Sequence, residues 1–210
     1  MAIRAGADAI GFVCAVPTSA RTIDKHTVAK ITAFVPPPIA TILLTSELSA
    51  SGIAQHVEMT GVSTVQILAH LELAESEQLA KLLPVTRRVQ VIHVENESAL
   101  DLIDQYAPHV HAFLLDSGRP KQPNPEYGGT GRTHDWTISA EFVERSPHPV
   151  FLAGGLSVDN VGEAMKAVRP FGVDLCSGVR TGGRLDHGKL RAFIDAVRAA
   201  DNESSIELTS

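Results

Sequence analysis

An aspartate at the end of an apolar run is the first residue of this sequence placed to do chemistry. Asp116 follows Phe113-Leu114-Leu115 and precedes a long stretch, 118–135, rich in glycine and proline. A carboxylate at the C-terminal end of a buried strand faces the side of a parallel α/β sheet where ligands bind. Burial there raises its pKa until it can serve as an acid. The same side chain could instead cap a loop amide. Gly154-Gly155 ends a later apolar run, and Ser177-Gly178 ends the next. Glycine at a strand end lets backbone amides approach a ligand, and the start of a following helix favours an anion. One such loop only turns the chain; two neighbouring ones point to a phosphate. Arg21, behind Pro17-Thr18-Ser19-Ala20, lies where a guanidinium could grip a substrate carboxylate with two parallel hydrogen bonds. An isolated loop arginine is otherwise a solvated charge. Gly128-Gly129-Thr130-Gly131 sits in mid-loop, so it is not the strand-to-helix nucleotide fingerprint, but its glycines suit a lid. Asp174 reads equally well as a structural hydrogen-bonding residue. The nine histidines show no metal-ligand spacing, although His70 at a strand end stands out. No Ser-His-Asp order, zinc motif or cofactor motif is present.

These residues need a scaffold that brings loop ends together, and the chain has the rhythm of one. Seven runs rich in β-branched or large apolar residues fall at 9–15, 39–45, 64–70, 87–94, 112–117, 150–154 and 172–177. Their near-continuous apolar character predicts strands covered on both faces, as in a parallel sheet. Between them lie helical patterns: Val28, Ile31, Phe34 and Val35; then Leu100, Ile103 and Tyr106; then Val161, Ala164, Met165 and Val168, with Ser157 as candidate N-cap. Asp135 is expected to cap a helix opening at Trp136, and Leu190, Phe193, Ile194 and Val197 form the last helical face. Strand and helix alternating in this way is the βαβ signature. Residues 1–6 read as the last turn of a helix capped by Gly6. The expectation is one α/β barrel domain over 1–200 with about seven strands visible, followed by a polar, frayed tail over 201–210.

Composition sets outer bounds. The chain has 210 residues, 44% hydrophobic and 20% charged, with a formal net charge of −6. That balance argues against nucleic-acid or anionic-membrane partners recruited by net positive charge. No apolar run approaches the ~20 residues of a membrane helix, and no signal-peptide core is visible. The two cysteines, Cys14 and Cys176, form no ligand pair, which suits free thiols in a reducing cytoplasm; Cys176 reads as a small buried hydrophobe.

Taken together the motifs resemble the phosphoribosylanthranilate isomerase family of tryptophan biosynthesis. The likeness is carried by Gly6-Ala7-Asp8-Ala9-Ile10-Gly11-Phe12-Val13, Ser19 with Arg21, and Leu114-Leu115-Asp116-Ser117. It continues through Tyr127-Gly128-Gly129-Thr130-Gly131, Asp135-Trp136, Ala153-Gly154-Gly155-Leu156, Asp159-Asn160-Val161 and Ser177-Gly178-Val179, in family order. The resemblance implies a (βα)8 barrel and an Amadori rearrangement. N-(5-phosphoribosyl)anthranilate would become 1-(2-carboxyphenylamino)-1-deoxyribulose 5-phosphate, with no metal or organic cofactor. It implies Asp116 as general acid, amides around Gly154, Gly155, Ser177 and Gly178 on the phosphate, and Arg21 on the anthranilate carboxylate. Gly129 and Gly131 would lie in the loop over the substrate, and a homodimer is a further expectation. A non-catalytic phosphate-binding relative or another phosphosugar barrel enzyme fits the same loops.

The sequence also departs from the family pattern. The family's base is a cysteine on a first strand about one helix before Gly6, and this sequence has no counterpart of it, so the chain is expected to lack that base. Seven strands do not close the usual barrel, because strand number, tilt and shear are linked. Either the gene product begins upstream, or another segment fills the gap; the stretch around 204–208 is a weak candidate. Leu68 stands at the family's histidine position, with His70 expected on the same strand face two residues on. His93 replaces a lysine, and Arg180 replaces a glutamate.

Overall fold

A computed structural model describes residues 1–118 and 133–207, with side chains as far as Glu203. Seven strands form one parallel sheet in sequence order: β1 (Ala9–Val13), β2 (Ala40–Thr45), β3 (Thr64–Ile67), β4 (Arg87–His93), β5 (Ala112–Asp116), β6 (Val150–Leu152) and β7 (Gly172–Val173). Helices α2 (Lys25–Thr32), α3 (Ala50–Thr60), α4 (Leu73–Leu82), α5 (Leu102–Tyr106), α6 (Trp136–Arg145) and α7 (Val161–Val168) supply the crossovers. The result is the barrel architecture expected from the alternating pattern. Among the described residues β1 and β7 each pair on one side only, which leaves the sheet open between them. That position shows in burial. Every residue of β3 and β5 is buried, whereas β1 is half exposed along its length.

Side-chain alternation divides the core into an inner and an outer layer. Val89, Val91, Ala112, Leu114 and Ala153 point inward and pack with Leu68 and Val16. Their strand neighbours Ile92, Phe113, Leu115 and Leu152 point outward against the helices, beside Phe142 and Phe193. A second outer cluster joins Phe12, Leu43 and Val65 to Val28, Ile53 and Leu79 on α2, α3 and α4. Strands covered on both faces are what the continuous apolar runs predict. By the same alternation His93 and Asp116, which are paired in register, belong to the inner face.

Local chemistry explains the helix starts. Asp24 Oδ1 accepts from the Thr27 amide at 2.9 Å, and Ser49 Oγ accepts from the Gly52 amide at 3.2 Å. Asp135 caps α6 as expected, accepting from the Thr137 amide at 2.8 Å. The short helix α1 (Ala2–Ala5) ends at Gly6 in the left-handed conformation, also as expected, and packs against the last helix, α8 (His187–Glu207).

Three local expectations are corrected. Ser157 is not the cap of α7: an extra turn intervenes, Asn160 takes the N-cap position, and the Asn160 Oδ1 accepts from the Ser157 amide at 2.8 Å. β3 stops at Ile67, so His70 is not on a strand face at all. The segment read as a frayed tail, and as a weak strand candidate, continues α8 to Glu207. Extending an existing helix adds a hydrogen bond for each residue fixed, and an exposed Lys166 Nζ–Glu203 Oε2 pair at 2.7 Å links α8 to α7.

Phe142 of α6 is fully buried and meets Phe113 edge-on, with ring centroids 5.2 Å apart. Phe142→Ala should lower the unfolding free energy by about 3–5 kcal/mol in a urea titration. A loss under about 1 kcal/mol would place the ring outside the core.

Candidate active site

The chemistry-bearing residues converge on the C-terminal rim of the sheet. Asp116 ends β5 nearly buried, and its Oδ1 accepts from the Ser117 amide at 2.7 Å. Gly154, just past β6, lies directly on it. A Cβ at Gly154 would stand 3.1 Å from Asp116 Oδ1 and 2.9 Å from the Ser117 nitrogen, and its φ is +82°. Only glycine meets both conditions. Burial pushes the Asp116 carboxyl pKa up, opposed by the Ser117 amide and by the charges of His93 and Arg21.

The second glycine loop abuts the first. A Cβ on Gly178 would fall 2.2 Å from the Leu156 carbonyl oxygen, so the loops after β6 and β7 touch backbone to backbone there. Asn160 braces the first loop, its Nδ2 donating to the Gly155 carbonyl at 3.0 Å. Thr133, Gly155, Leu156, Ser157, Ser177 and Gly178 line an open cleft of about 750 Å³ with Asn160 at its edge. Glycine backbone and the hydroxyl-bearing residues Thr133, Ser157 and Ser177 line this rim, a lining that suits an anion. Asn160 and Thr133 were not foreseen as site residues. The Asp159-Asn160-Val161 motif contained the first of them, but its bracing role appears only with the loop folded.

Arg21 lies in the loop after β1. Its amide donates to Ser19 Oγ at 3.3 Å, and its guanidinium Nη1 donates to the sulfur of Cys176 beyond β7. That contact spans the opening between the first and last strands. His93, 4% exposed, ends β4 beside Asp116, and its Nε2 donates to the Leu68 carbonyl at 2.9 Å. Burial pushes the His93 pKa down, against the Leu68 carbonyl and the Asp116 and Glu95 charges. His70 stacks loosely between His93 and Tyr106, with centroids 5.8 and 6.0 Å away. Leu68 itself packs in the inner core. Arg180 opens a small hairpin, β8 (Arg180–Thr181) with β9 (Arg184–Leu185), and donates to the Gly183 carbonyl at 2.8 Å. Gly129 and Gly131 lie outside the described residues. Among the described residues no cluster of three or more His, Cys, Asp or Glu could hold a metal ion.

Asp174 joins the site, which its neutral reading in the sequence did not favour. Its backbone extends the β6–β7 ladder, the amide donating to the Leu152 carbonyl at 2.8 Å. Crowding by protein, then the negative charge of Asp116, raises its pKa to about 6, although solvent reaches the residue through the open edge. A raised carboxyl pKa contributes stability below the unfolded value, near 4, that is lost as pH rises through about 6. Asp174→Asn is therefore expected to raise the melting temperature at pH 8 and to leave it unchanged near pH 4. Equal effects at both pH values would remove the linkage.

Fold and rim define a parallel βα-barrel enzyme with a buried acid and two glycine loops on the C-terminal face of its sheet. The pattern of the N-(5'-phosphoribosyl)anthranilate isomerase family matches residues 1–196, and the chain belongs to that family. N-(5'-phosphoribosyl)anthranilate isomerase 2 of Methanosarcina mazei is 37% identical over 196 residues, covering 92% of this chain and 86% of that protein. A solved phosphoribosylanthranilate isomerase in complex with reduced 1-(o-carboxyphenylamino)-1-deoxyribulose 5-phosphate is 26% identical. It superposes with a TM-score of 0.77, covering 94% of this chain and 91% of that one. A structure of monomers generated from the dimeric enzyme of Thermotoga maritima is 25% identical, also with a TM-score of 0.77, and covers the same shares.

Proposed function

We propose that this protein isomerises N-(5-phosphoribosyl)anthranilate to 1-(2-carboxyphenylamino)-1-deoxyribulose 5-phosphate in tryptophan biosynthesis. The observation that carries the reading is convergence: Asp116, Arg21 and both glycine loops, far apart in sequence, occupy one rim in a chain of this family. The substrate has two anionic ends, and the rim has two matching places. Amides around Gly154, Gly155, Ser177 and Gly178 receive the phosphate. Arg21, across the opening, receives the anthranilate carboxylate, exchanging a weak sulfur acceptor for a charged oxygen pair.

Between those anchors Asp116 acts as general acid. Its proton moves to the ribose ring oxygen while the bond from that oxygen to C1 breaks, and the electron pair on the anthranilate nitrogen forms the C1–N double bond. A base, the role the family pattern gives to a cysteine without a counterpart in this sequence, then takes the proton from C2, the electrons of that C–H bond form the C1–C2 double bond, and the nitrogen recovers its pair. The enolamine ketonises by a proton shift to give the product. The raised pKa of Asp116 suits this role, since the acid must reach the ring opening protonated. Gly129 and Gly131, outside the described residues, are proposed as substrate-binding residues.

The same reading places the protein in the cytoplasm, supported by two unpaired cysteines, and as a homodimer, supported by the dimeric relative. Among the described residues no helix is long and apolar enough to cross a membrane. Light scattering on the purified protein checks the dimer, with a monomer mass overturning it.

Turnover of the phosphoribosylated substrate, and rescue of a tryptophan auxotroph lacking the isomerase, test the activity. Asp116→Asn should lower kcat by about 10²–10⁴-fold, the usual range for a lost general acid. Arg21→Ala should raise KM roughly 10–100-fold, as losing a charged hydrogen-bonded contact of about 1.5–3 kcal/mol implies. A protein that binds the phosphorylated product but shows no turnover, whether or not Asp116 is replaced, would be a non-catalytic relative instead.

A further inference from the structure

His93 stands where the family pattern has a lysine, and its surroundings give it a definite task. It ends β4 in register with Asp116 at the end of β5, both on the inner face, and the Val94 amide donates to the Asp116 carbonyl at 2.9 Å. The two residues are thus held as neighbours by the ladder itself. The His93 ring is fixed as well. Nε2 faces a carbonyl, which can only accept, so that nitrogen carries the hydrogen, and in the neutral ring Nδ1 is a proton acceptor. At 4% and 9% exposure neither side chain has bulk water to stabilise a charge.

We propose that His93 is a positioning residue for Asp116: the two side chains hold one proton between them, and it rests on the carboxyl while the imidazole stays neutral. The inference builds on the acid role of Asp116 and says what keeps that acid loaded. With one proton the pair can be a carboxylic acid beside a neutral imidazole, or a carboxylate beside an imidazolium. Mutual attraction favours the charged form and desolvation favours the neutral one. The buried location decides for the neutral form, in agreement with burial being the leading influence on both groups. A lysine at the same position would hold a fixed positive charge and pull Asp116 towards carboxylate.

The other charges near the pair come from separate elements. Arg21, from the loop after β1, favours the carboxylate, and Asp174, beyond β7, opposes it. Glu95, after β4, favours a charged imidazole, and His70, from the loop after β3, lies against the His93 ring. A substrate carboxylate on Arg21 would cancel part of the positive charge that draws the proton off Asp116. Binding would then load the acid further.

The test is a titration of the whole protein by nuclear magnetic resonance from pH 4 to 9, with carboxyl-¹³C aspartate and ¹⁵N histidine, and it needs no turnover. Asp116 and His93 should report the same macroscopic steps, with the carboxyl protonated and the imidazole neutral and protonated on Nε2 around pH 6. His93→Lys should move the Asp116 midpoint down by at least one unit. His93→Gln should remove the shared step while leaving that midpoint above the ordinary carboxylate range. Where turnover is measured, the alkaline limb of kcat should move down in His93→Lys with KM little changed. An Asp116 midpoint indifferent to His93→Lys, or an imidazolium beside an ionised Asp116 at pH 6, overturns the proposal. Should His93→Lys fail to fold, the unsubstituted protein and His93→Gln decide alone. Failure of the isomerase assay with a shared titration intact would count against the proposed reaction and leave the pairing standing.

Discussion

The site depends on the close approach of the β5 and β6 ends. Asp116 can be both buried and reachable from the rim because Gly154 covers it with a bare α-carbon. A side chain there would meet the carboxyl oxygen and the Ser117 nitrogen at once. The contact links the two halves of the proposed chemistry, since the loop that covers the acid is also the first of the two anion-facing loops. Displacing Gly154 would expose Asp116 to water, lower its pKa and shift the amide of Gly155 together. The second loop is held to the first just as tightly, through Gly178 against the Leu156 carbonyl. The proposed acid and the proposed phosphate loops are therefore in direct contact at the ends of β5, β6 and β7.

Charge on this rim is arranged by layer. The inner barrel below is aliphatic, with Val89, Val91, Leu114 and Ala153. It gives no solvation to a charge, so the groups at its mouth settle their protonation among themselves. Asp116 sits between one cation, Arg21, a neutral imidazole and a second carboxyl, Asp174, whose pKa is also raised. Two carboxyls near one another resist ionising together, and the charge of Asp116 is one reason the Asp174 pKa is raised.

Much of this was legible in the sequence, and what was not has a common cause. Strand positions followed from continuous apolar runs because every central strand is covered on both faces. Gly6 and Asp135 announced their caps because a cap is decided within a few residues. That Asp116, Gly154, Gly155, Ser177 and Gly178 would meet on one rim could be read because a parallel sheet puts all its strand ends on one side. The failures need information from further away. Ser157, Asp159 and Asn160 are all competent caps, and the extra turn that selects Asn160 exists only once its side chain reaches back to Ser157 and Gly155. The facing predicted for His70 assumed a strand that continued past Ile67. The end of α8 carries two serines and reads as coil locally, yet its helix is already nucleated and packed.

Arg21 shows most clearly what sequence pattern cannot supply. Its place after β1 was visible, but its partner was not, because Cys176 lies at the far end of the sheet and the two meet only by curvature. A sulfur is a poor acceptor for a guanidinium compared with a carboxylate, so the contact holds the arginine across the opening without satisfying it. That suits the carboxylate-binding role proposed for Arg21, in which it exchanges this partner. The side chain is ordered before the ligand arrives, which reduces the entropy lost on binding, and the group it gives up is weak. Cys176, one residue before the Ser177-Gly178 loop, ties that preordering to the anion cradle. The two anchors proposed for a substrate with a charge at each end are thereby linked through Cys176.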